Sequence, residues 1–209
     1  MAAANMVVVR LEVPMLQLPN ILTLSRIVAI PVMVGLFFVG TATGNWLNLI
    51  VFALACVTDF FDGYLARAWG QQSNLGRFLD PVADKLLIGA LLVMVVATGR
   101  LADIHVLPAV VIMCRELLVS GLREFLADLR VSVPVTQLAK WKTSIQMLAL
   151  GFLIVGPSGP NFGPLTTNEI GVFGLWVAAV LTLITGYDYL RAGLHHIKMR
   201  DGNSAGMQS

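Results

Sequence analysis

The sequence contains few charged residues. Only 12% of its 209 residues are Asp, Glu, Lys or Arg, whereas 57% are hydrophobic, and the mean hydropathy is +0.80. Soluble globular domains carry about 25% charged residues, so this composition excludes that class and indicates an integral membrane protein. Because about 20 apolar residues cross a bilayer core, this length allows about six transmembrane helices and no separate soluble domain. We therefore predict an all-α, polytopic fold in a single membrane domain, residues 1–209.

Cysteine and histidine are also scarce. Cys56 and Cys114 both lie in apolar segments without CxxC spacing, which favours small buried hydrophobic side chains over a disulfide or a metal site. His195 and His196 lie among basic residues after the last apolar run, as in a solvated tail. The composition therefore gives no indication of a zinc site or a redox site.

The segments before the first apolar run and after the last one are expected to lie outside the membrane core. Residues 1–19 lack the basic start, the short apolar core and the small-residue cleavage site of a signal peptide. We expect these residues to lie on the membrane surface and residues 201–209 to form a flexible tail. Low-complexity tracts and internal repeats of 20–50 residues are also missing.

Apolar runs divide the chain into six predicted spans. Pro19 suits the start of the first helix, and Asp80 followed by Pro81 predicts another helix start, with aspartate as the N-cap. Polar or Gly-rich turns are expected at 40–45, 71–74 and 99–103, and an external loop at 156–168. The predicted spans are residues 21–39, 46–58, 80–98, 104–126, 144–155 and 170–190.

The basic residues are distributed unevenly across these spans. With both termini on one side of the membrane, thirteen of the fourteen Lys and Arg residues fall on that side, and only Arg100 falls on the other. Cytosolic segments are enriched in Lys and Arg. The pattern therefore predicts cytosolic termini and places the acidic residues between the second and third spans on the cytosolic side.

Four aspartates lie where these two spans face each other: Asp59 and Asp62 directly follow the second span, and Asp80 and Asp84 lie at the start of the third. On helices, Asp59 and Asp62 are i,i+3 neighbours and Asp80 and Asp84 are i,i+4 neighbours, so each pair can project from one helix face. Clustered carboxylates near a membrane need cations to compensate their charge, and oxygen ligands favour Mg²⁺ or Mn²⁺. We therefore predict a four-carboxylate cage holding two divalent ions.

The spacing of these residues is that of a known signature. The pattern Asp59-x2-Asp62-Gly63-x2-Ala66-Arg67-x8-Gly76-x3-Asp80-x3-Asp84 resembles in full the motif of the CDP-alcohol phosphotransferase family. By this resemblance, all four aspartates ligate metal, and Asp84 is also the proposed base that deprotonates the acceptor hydroxyl.

The same resemblance implies a site for the donor lipid. CDP-diacylglycerol would be held by Gly63, Arg67, Ser73 and the end of the first helix at Asn20 and Thr23. Independently of the family, Gly63 lacks side-chain bulk where a nucleotide could approach, and the Arg67 guanidinium can bind phosphate oxygens. Asn20 and Thr23 could equally cap the helix, and Arg26 could simply extend to the lipid headgroups.

The acceptor is indicated by other segments. CRELLVSGLREFLA at 114–127, LPNILTLSRI at 18–27 and KWKT at 140–143 resemble the bacterial branch of the family that uses sn-glycerol 3-phosphate and makes phosphatidylglycerophosphate. An acceptor phosphate would explain the cations near the cavity, for which the candidates are Arg115, Arg123, Lys140 and Arg191. Each could instead reflect membrane topology or contact with anionic headgroups. The resemblance also implies a multi-pass protein of the bacterial inner membrane and a homodimer, and we expect no nucleic-acid partner.

Three other functions fit parts of the sequence. A synthase of the same family with another acceptor, such as a cardiolipin or phosphatidylinositol phosphate synthase, would share the motif. A divalent-cation transporter would also carry intramembrane carboxylates, but the aspartates cluster at one face and leave no polar path across the membrane. A nonenzymatic scaffold gives no reason for the aspartate spacing.

Overall fold

The computed structural model describes residues 18–69, 74–128 and 137–206. Two short 3-10 helices lie at Asp103–Val106 and Gly156–Ser158, and within the described ranges there is no β-strand, only an isolated bridge between Phe162 and Leu165. The six long helices are α1 (Leu18–Val39), α2 (Ala42–Trp69), α3 (Asn74–Ala97), α4 (Leu107–Asp128), α5 (Gln137–Val155) and α6 (Thr167–Gly206). The all-α prediction is confirmed.

Five of these helices are long and apolar enough to cross a membrane. The spans are Ile21–Val39, Ala42–Asp59, Asp103–Ala127, Gln137–Ser158 and Thr167–Arg191. The remaining long helix, α3, is different. It carries Arg77, Asp80, Asp84 and Lys85 in its first half, so its uninterrupted apolar stretch is only residues 86–97. The predicted count of six helices therefore agrees with the fold, although one of them is polar over half its length.

The helices that carry the motif are longer than predicted. Gly40 adopts a positive φ of 65° and α2 begins at Ala42, so the predicted turn at 40–45 is shorter. The prediction that Asp80 caps a helix is wrong, because α3 begins at Asn74 and contains both Asp80 and Pro81. A proline removes only one helical hydrogen bond, and the contact of α3 with α1 holds this helix through that position.

The last two helices also extend beyond their predicted starts and ends. Lys140 and Lys142 were expected in a cytosolic stretch before the fifth span, but α5 begins at Gln137 and includes both lysines. Helix α6 continues past the predicted end at 190 and stays helical to Gly206, which includes the first six residues of the expected tail. The structure thus places these lysines on a helix that packs inside the bundle.

Helix α5 is central to the packing. It contacts α6 and α2, while α1 packs against α2 and α3, and α4 packs against α6. Leu150, Leu153 and Ile154 of α5 are fully buried. Gly171 of α6 lies directly against this helix, where an added Cβ would be 2.8 Å from Leu153 Cγ. Small residues of this kind let two membrane helices approach closely.

Arg100 organises the end of the bundle away from the motif. It lies in the turn after α3, donates to the Leu153 carbonyl at 2.8 Å and to the Ile154 carbonyl near the end of α5, and donates to Asn45 Oδ1 at 2.6 Å. Its guanidinium also lies 4.8 Å from the centre of the Phe37 ring. Burial lowers the pKa of Arg100, but a guanidinium stays protonated. Arg100 therefore neutralises the last carbonyls of α5, which carry partial negative charge.

Candidate active site

A buried arginine lies at the centre of the motif aspartates. Arg26 of α1 is only 2% exposed, and its Nη1 pairs with Asp59 Oδ1 of α2. The same guanidinium lies 3.5 Å from Asp84 Oδ1 and 3.8 Å from Asp80 Oδ1, both on α3. A buried charge requires a compensating partner. The first three helices therefore meet around one cation and three carboxylates.

A second residue of α1 positions one of these carboxylates. Thr23, one turn before Arg26, is buried and donates its hydroxyl to Asp80 Oδ1 at 2.5 Å. Three residues apart, Thr23 and Arg26 lie on the same helix face. The start of α1 thus holds the motif carboxylates in place from one side, whereas their side chains remain 44–50% exposed on the other.

The aspartates are suited to a metal, although the described residues alone do not form a complete site. Within the described ranges, no three acidic, histidine or cysteine side chains are grouped closely enough to hold an ion. Asp62 lies three residues after Asp59 on α2, and its side chain is outside the described residues. The donor chemistry still fits, because Asp59, Asp80 and Asp84 direct carboxylate oxygens towards one shared positive charge, and Mg²⁺ prefers such ligands.

A cavity of about 1250 Å³ opens beside Asp84. Four helices line it: α3 contributes Asp84 and Lys85, α4 contributes Arg115 and Arg123, α5 contributes Lys140, and α6 contributes Tyr189. Three of the four predicted acceptor cations therefore line the same cavity as the predicted base. The fourth, Arg191, is exposed on α6 and is not among the described lining residues.

The two arginines of the cavity are held differently. Arg115 is largely buried, donates to Thr185 Oγ1 at 2.9 Å and lies 3.2 Å from Glu116 Oε1. Arg123 is exposed, and its guanidinium lies 5.7 Å from the centre of the Tyr189 ring. Arg123 also donates to the Tyr189 hydroxyl at 3.3 Å, so both arginines contact α6, and they differ in that Arg115 is largely buried while Arg123 is exposed.

A buried ion pair crosses the cavity wall. Lys142 of α5 is 4% exposed and pairs with Glu116 of α4. Lys85 of α3 donates a hydrogen bond to the hydroxyl of Ser120 on α4. These two contacts connect α3, α4 and α5, and removal of one partner of the ion pair leaves the other charge uncompensated.

The remaining predicted donor-lipid residues lie outside the described side chains. Asn20 lies in α1, and Gly63 and Arg67 lie in α2, but only their backbones are described. Ser73 falls in the undescribed segment 70–73. Of the predicted set, Thr23 alone has a described contact, and that contact is with Asp80.

Sequence reasoning missed the central role of Arg26. A single arginine near a membrane boundary has an ordinary explanation in the lipid headgroups, and its face depends on how α1 crosses α2 and α3. The available signal was its spacing from Thr23, because two polar residues three apart in an apolar helix share one face. The same argument applies to Lys142 and Gln146, which are four residues apart on α5 and both buried.

The chain belongs to the CDP-alcohol phosphatidyltransferase family, whose family model matches residues 16–184. Among its curated relatives is a protein of Rickettsia bellii named CDP-diacylglycerol--glycerol-3-phosphate 3-phosphatidyltransferase. It is 47% identical over 175 residues, which cover 84% of this chain and 94% of the relative. Relatives with the same name from Salmonella typhimurium and Cereibacter sphaeroides are 40% and 37% identical, covering 84% and 87% of this chain and 93% and 97% of the relatives.

Proposed function

We propose that this protein transfers a phosphatidyl group from CDP-diacylglycerol to sn-glycerol 3-phosphate, forming phosphatidylglycerophosphate and releasing CMP. The observation that carries the proposal is the cavity that joins Asp84 to Arg115, Arg123 and Lys140. It joins a carboxylate of the donor motif to cations suited to a phosphorylated acceptor. The names of the relatives point to the same pair of substrates.

The acceptor end of the cavity supplies positive charge. Arg123 and Lys140 are exposed there, so the phosphate of a small soluble substrate can reach them. Arg115 adds charge from the wall, where Thr185 and Glu116 hold it in place. With its phosphate bound to these groups, the acceptor would direct its terminal hydroxyl towards Asp84. A carboxylate in that position takes the proton as the hydroxyl attacks.

The donor end supplies the carboxylates and Arg26. Asp59, Asp80 and Asp84, with Asp62 from the sequence motif, would hold Mg²⁺ or Mn²⁺, and two bound ions would neutralise the diphosphate and the departing CMP phosphate. Arg26 and Thr23 hold the carboxylates in register. The acceptor oxygen forms a bond to the lipid-side phosphorus as the bond to the CMP oxygen breaks.

The helix ends suggest the orientation in the bacterial inner membrane. The motif aspartates and the cavity cations lie at one end of the bundle, and Arg100 lies at the other. Because basic residues favour the cytosolic side, the site would open to the cytosol, where the soluble acceptor and nucleotide are found. Cysteines introduced at Asn161 and Lys140 test this arrangement: the first should be labelled from outside intact cells and the second should not. The opposite pattern would reject it. The predicted homodimer rests on the family resemblance alone.

The decisive experiment is an assay of CMP release by the purified protein in detergent. With CDP-diacylglycerol and Mg²⁺, release should depend on sn-glycerol 3-phosphate, and the product should be a phosphatidyl lipid with a second phosphate. Phosphatidylglycerol and inositol phosphate, supplied separately, test the other acceptors. Faster release with either of these would reassign the acceptor, and no release with any would reject the enzymatic function.

A further inference from the structure

We propose that Gln146 binds the middle hydroxyl of the acceptor, the one that does not react. Gln146 thereby selects glycerol phosphate over a hydroxyalkyl phosphate that lacks only this middle hydroxyl. This inference rests on the proposed function, because it concerns the same cavity. It adds a residue for which the family motif and the cavity cations give no role.

Gln146 lies at the inner end of the cavity. The lining follows α3 inward to Ile88, α4 inward to Met113 and α5 inward to Gln146 and Met147. Among these four innermost residues, Gln146 is the polar one. Gln146 therefore brings a polar amide to the apolar part of the cavity lining.

The Gln146 amide is buried and incompletely hydrogen-bonded. The residue is 3% exposed, and its Oε1 has no hydrogen-bond partner among the described residues. Lys142, one turn earlier on the same face, is already paired with Glu116. A buried polar atom without a partner is costly, so a ligand hydroxyl that donates to this oxygen would remove that cost.

The shape of the acceptor matches this arrangement. sn-Glycerol 3-phosphate carries its phosphate at one end, the reacting hydroxyl at the other and a second hydroxyl between them. The exposed Arg123 and Lys140 lie towards the mouth of the cavity, so a phosphate bound there directs both hydroxyls inward. One hydroxyl meets Asp84, and the other donates to Gln146 Oε1 in place of its lost contacts with water.

The test compares two acceptors that differ by this one hydroxyl. 3-Hydroxypropyl phosphate keeps the phosphate and the reactive terminal hydroxyl but lacks the middle one. A site built to bind a hydroxyl discriminates against an analogue without it, so the wild-type protein should show about 10- to 100-fold higher kcat/KM for glycerol 3-phosphate. Gln146→Met, close in size, should lose most of this ratio by lowering kcat/KM for glycerol 3-phosphate alone.

Met147→Leu is the matched control, because Met147 is the next residue and lines the same part of the cavity. It should preserve the ratio whatever its effect on the overall rate. Equal losses for both acceptors in Gln146→Met would show a purely structural role and overturn the inference. If Gln146→Met does not fold, the wild-type protein still provides a test. A wild-type ratio of the two kcat/KM values within about threefold of one would also overturn the inference. No turnover of glycerol 3-phosphate by the wild type would overturn the proposed function as well, a result distinct from turnover without discrimination.

Discussion

The two ends of the helix bundle each contain an arginine with several partners, but the partners differ in kind. Arg100 binds two backbone carbonyls and the Asn45 amide, and it stacks over Phe37. Arg26 lies among three carboxylates whose side chains are about half exposed. Carbonyls and amides keep fixed partners, whereas exposed carboxylates can exchange one cation for another. The Arg100 end is therefore a structural closure, and the Arg26 end is a site able to accept ligands.

The comparison extends to the hydrogen bonds around each arginine. At the Arg100 end, Asn45 also donates to Ser158 at 2.8 Å, and Asn168 donates to the Arg100 carbonyl at 3.1 Å. At the other end, a cavity lies beside Asp84, and a buried amide oxygen of Gln146 lacks a partner among the described residues. Asn168 Oδ1 at the Arg100 end also lacks a partner among the described residues, so the feature that separates the two ends is the cavity beside Asp84.

Metal removal should have the largest effect on the rate of CMP release, because it acts on the Arg26 end of the bundle and not on the Arg100 end. We expect excess EDTA to reduce CMP release to background, because the clustered carboxylates need a divalent cation to bind a diphosphate. Added Mg²⁺ or Mn²⁺ should restore the rate. Undiminished turnover in EDTA would show that the aspartates act without metal, with Arg26 as their main counter-charge.

Substitution of the predicted base should have the second-largest effect on the rate. Asp84→Asn should lower kcat by about two to three orders of magnitude, as does loss of a major group that acts in the transition state, with little change in either KM. Mg²⁺ must be saturating so that weaker metal binding does not contribute. Asp188→Asn, at an exposed aspartate of α6 that is not among the described cavity lining, is the control and should keep the normal rate. A near-normal rate in Asp84→Asn would remove this residue from the chemistry.

Loss of an acceptor cation should have an intermediate effect. Arg123→Ala should lower kcat/KM for glycerol 3-phosphate about 10- to 100-fold through a higher KM, because a charge-assisted contact contributes about 1.5–3 kcal/mol. The KM for CDP-diacylglycerol should change little. Arg191→Ala should leave both values unchanged, since this exposed arginine is outside the described cavity lining. Equal effects on both substrates would make Arg123 structural.

The smallest expected effect concerns stability. Substitutions of Arg26 and Arg100 should differ in whether added metal restores the thermal unfolding midpoint. Arg26→Met and Arg100→Met should each lower the thermal unfolding midpoint in EDTA, the first by leaving carboxylates uncompensated and the second by leaving carbonyls unpaired. Added Mg²⁺ should recover most of the loss in Arg26→Met and none in Arg100→Met. Similar recovery in both variants would contradict the distinction between a ligand site and a structural closure.

The sequence predicted the placement of the candidate residues where local spacing determines geometry, and their roles stay predictions. The aspartate pairs lie on α2 and α3 as their spacing required, and Arg115, Arg123 and Lys140 line a cavity with Asp84. The spacing of Arg26 from Thr23 indicated a shared polar face, but the partners of Arg26 depend on how three helices cross. Gln146 escaped notice for the same reason, since only the packed structure shows which amide loses its contact with water.

The predicted boundaries failed where local signals competed with packing. Asp80 followed by Pro81 is a sound capping signal, but α3 packs against α1 and begins earlier. Lys142 was expected in a cytosolic stretch before the fifth span, yet it is buried in α5, where Glu116 on a neighbouring helix compensates its charge. In both cases a tertiary contact outweighed the local preference.

The short apolar half of α3 has a consequence for where two immiscible substrates can meet. Residues 86–97 form a stretch of about 18 Å at 1.5 Å per residue, well below the roughly 30 Å thickness of a hydrocarbon core. If α3 lies in the bilayer beside its neighbours, its polar first half and the adjacent cavity would admit water inside the boundary of the bilayer. A lipid can present its headgroup there without leaving the membrane, and a sugar-like phosphate can arrive without leaving water. The polar half of α3 would therefore lie where the lipid substrate and the water-soluble substrate meet.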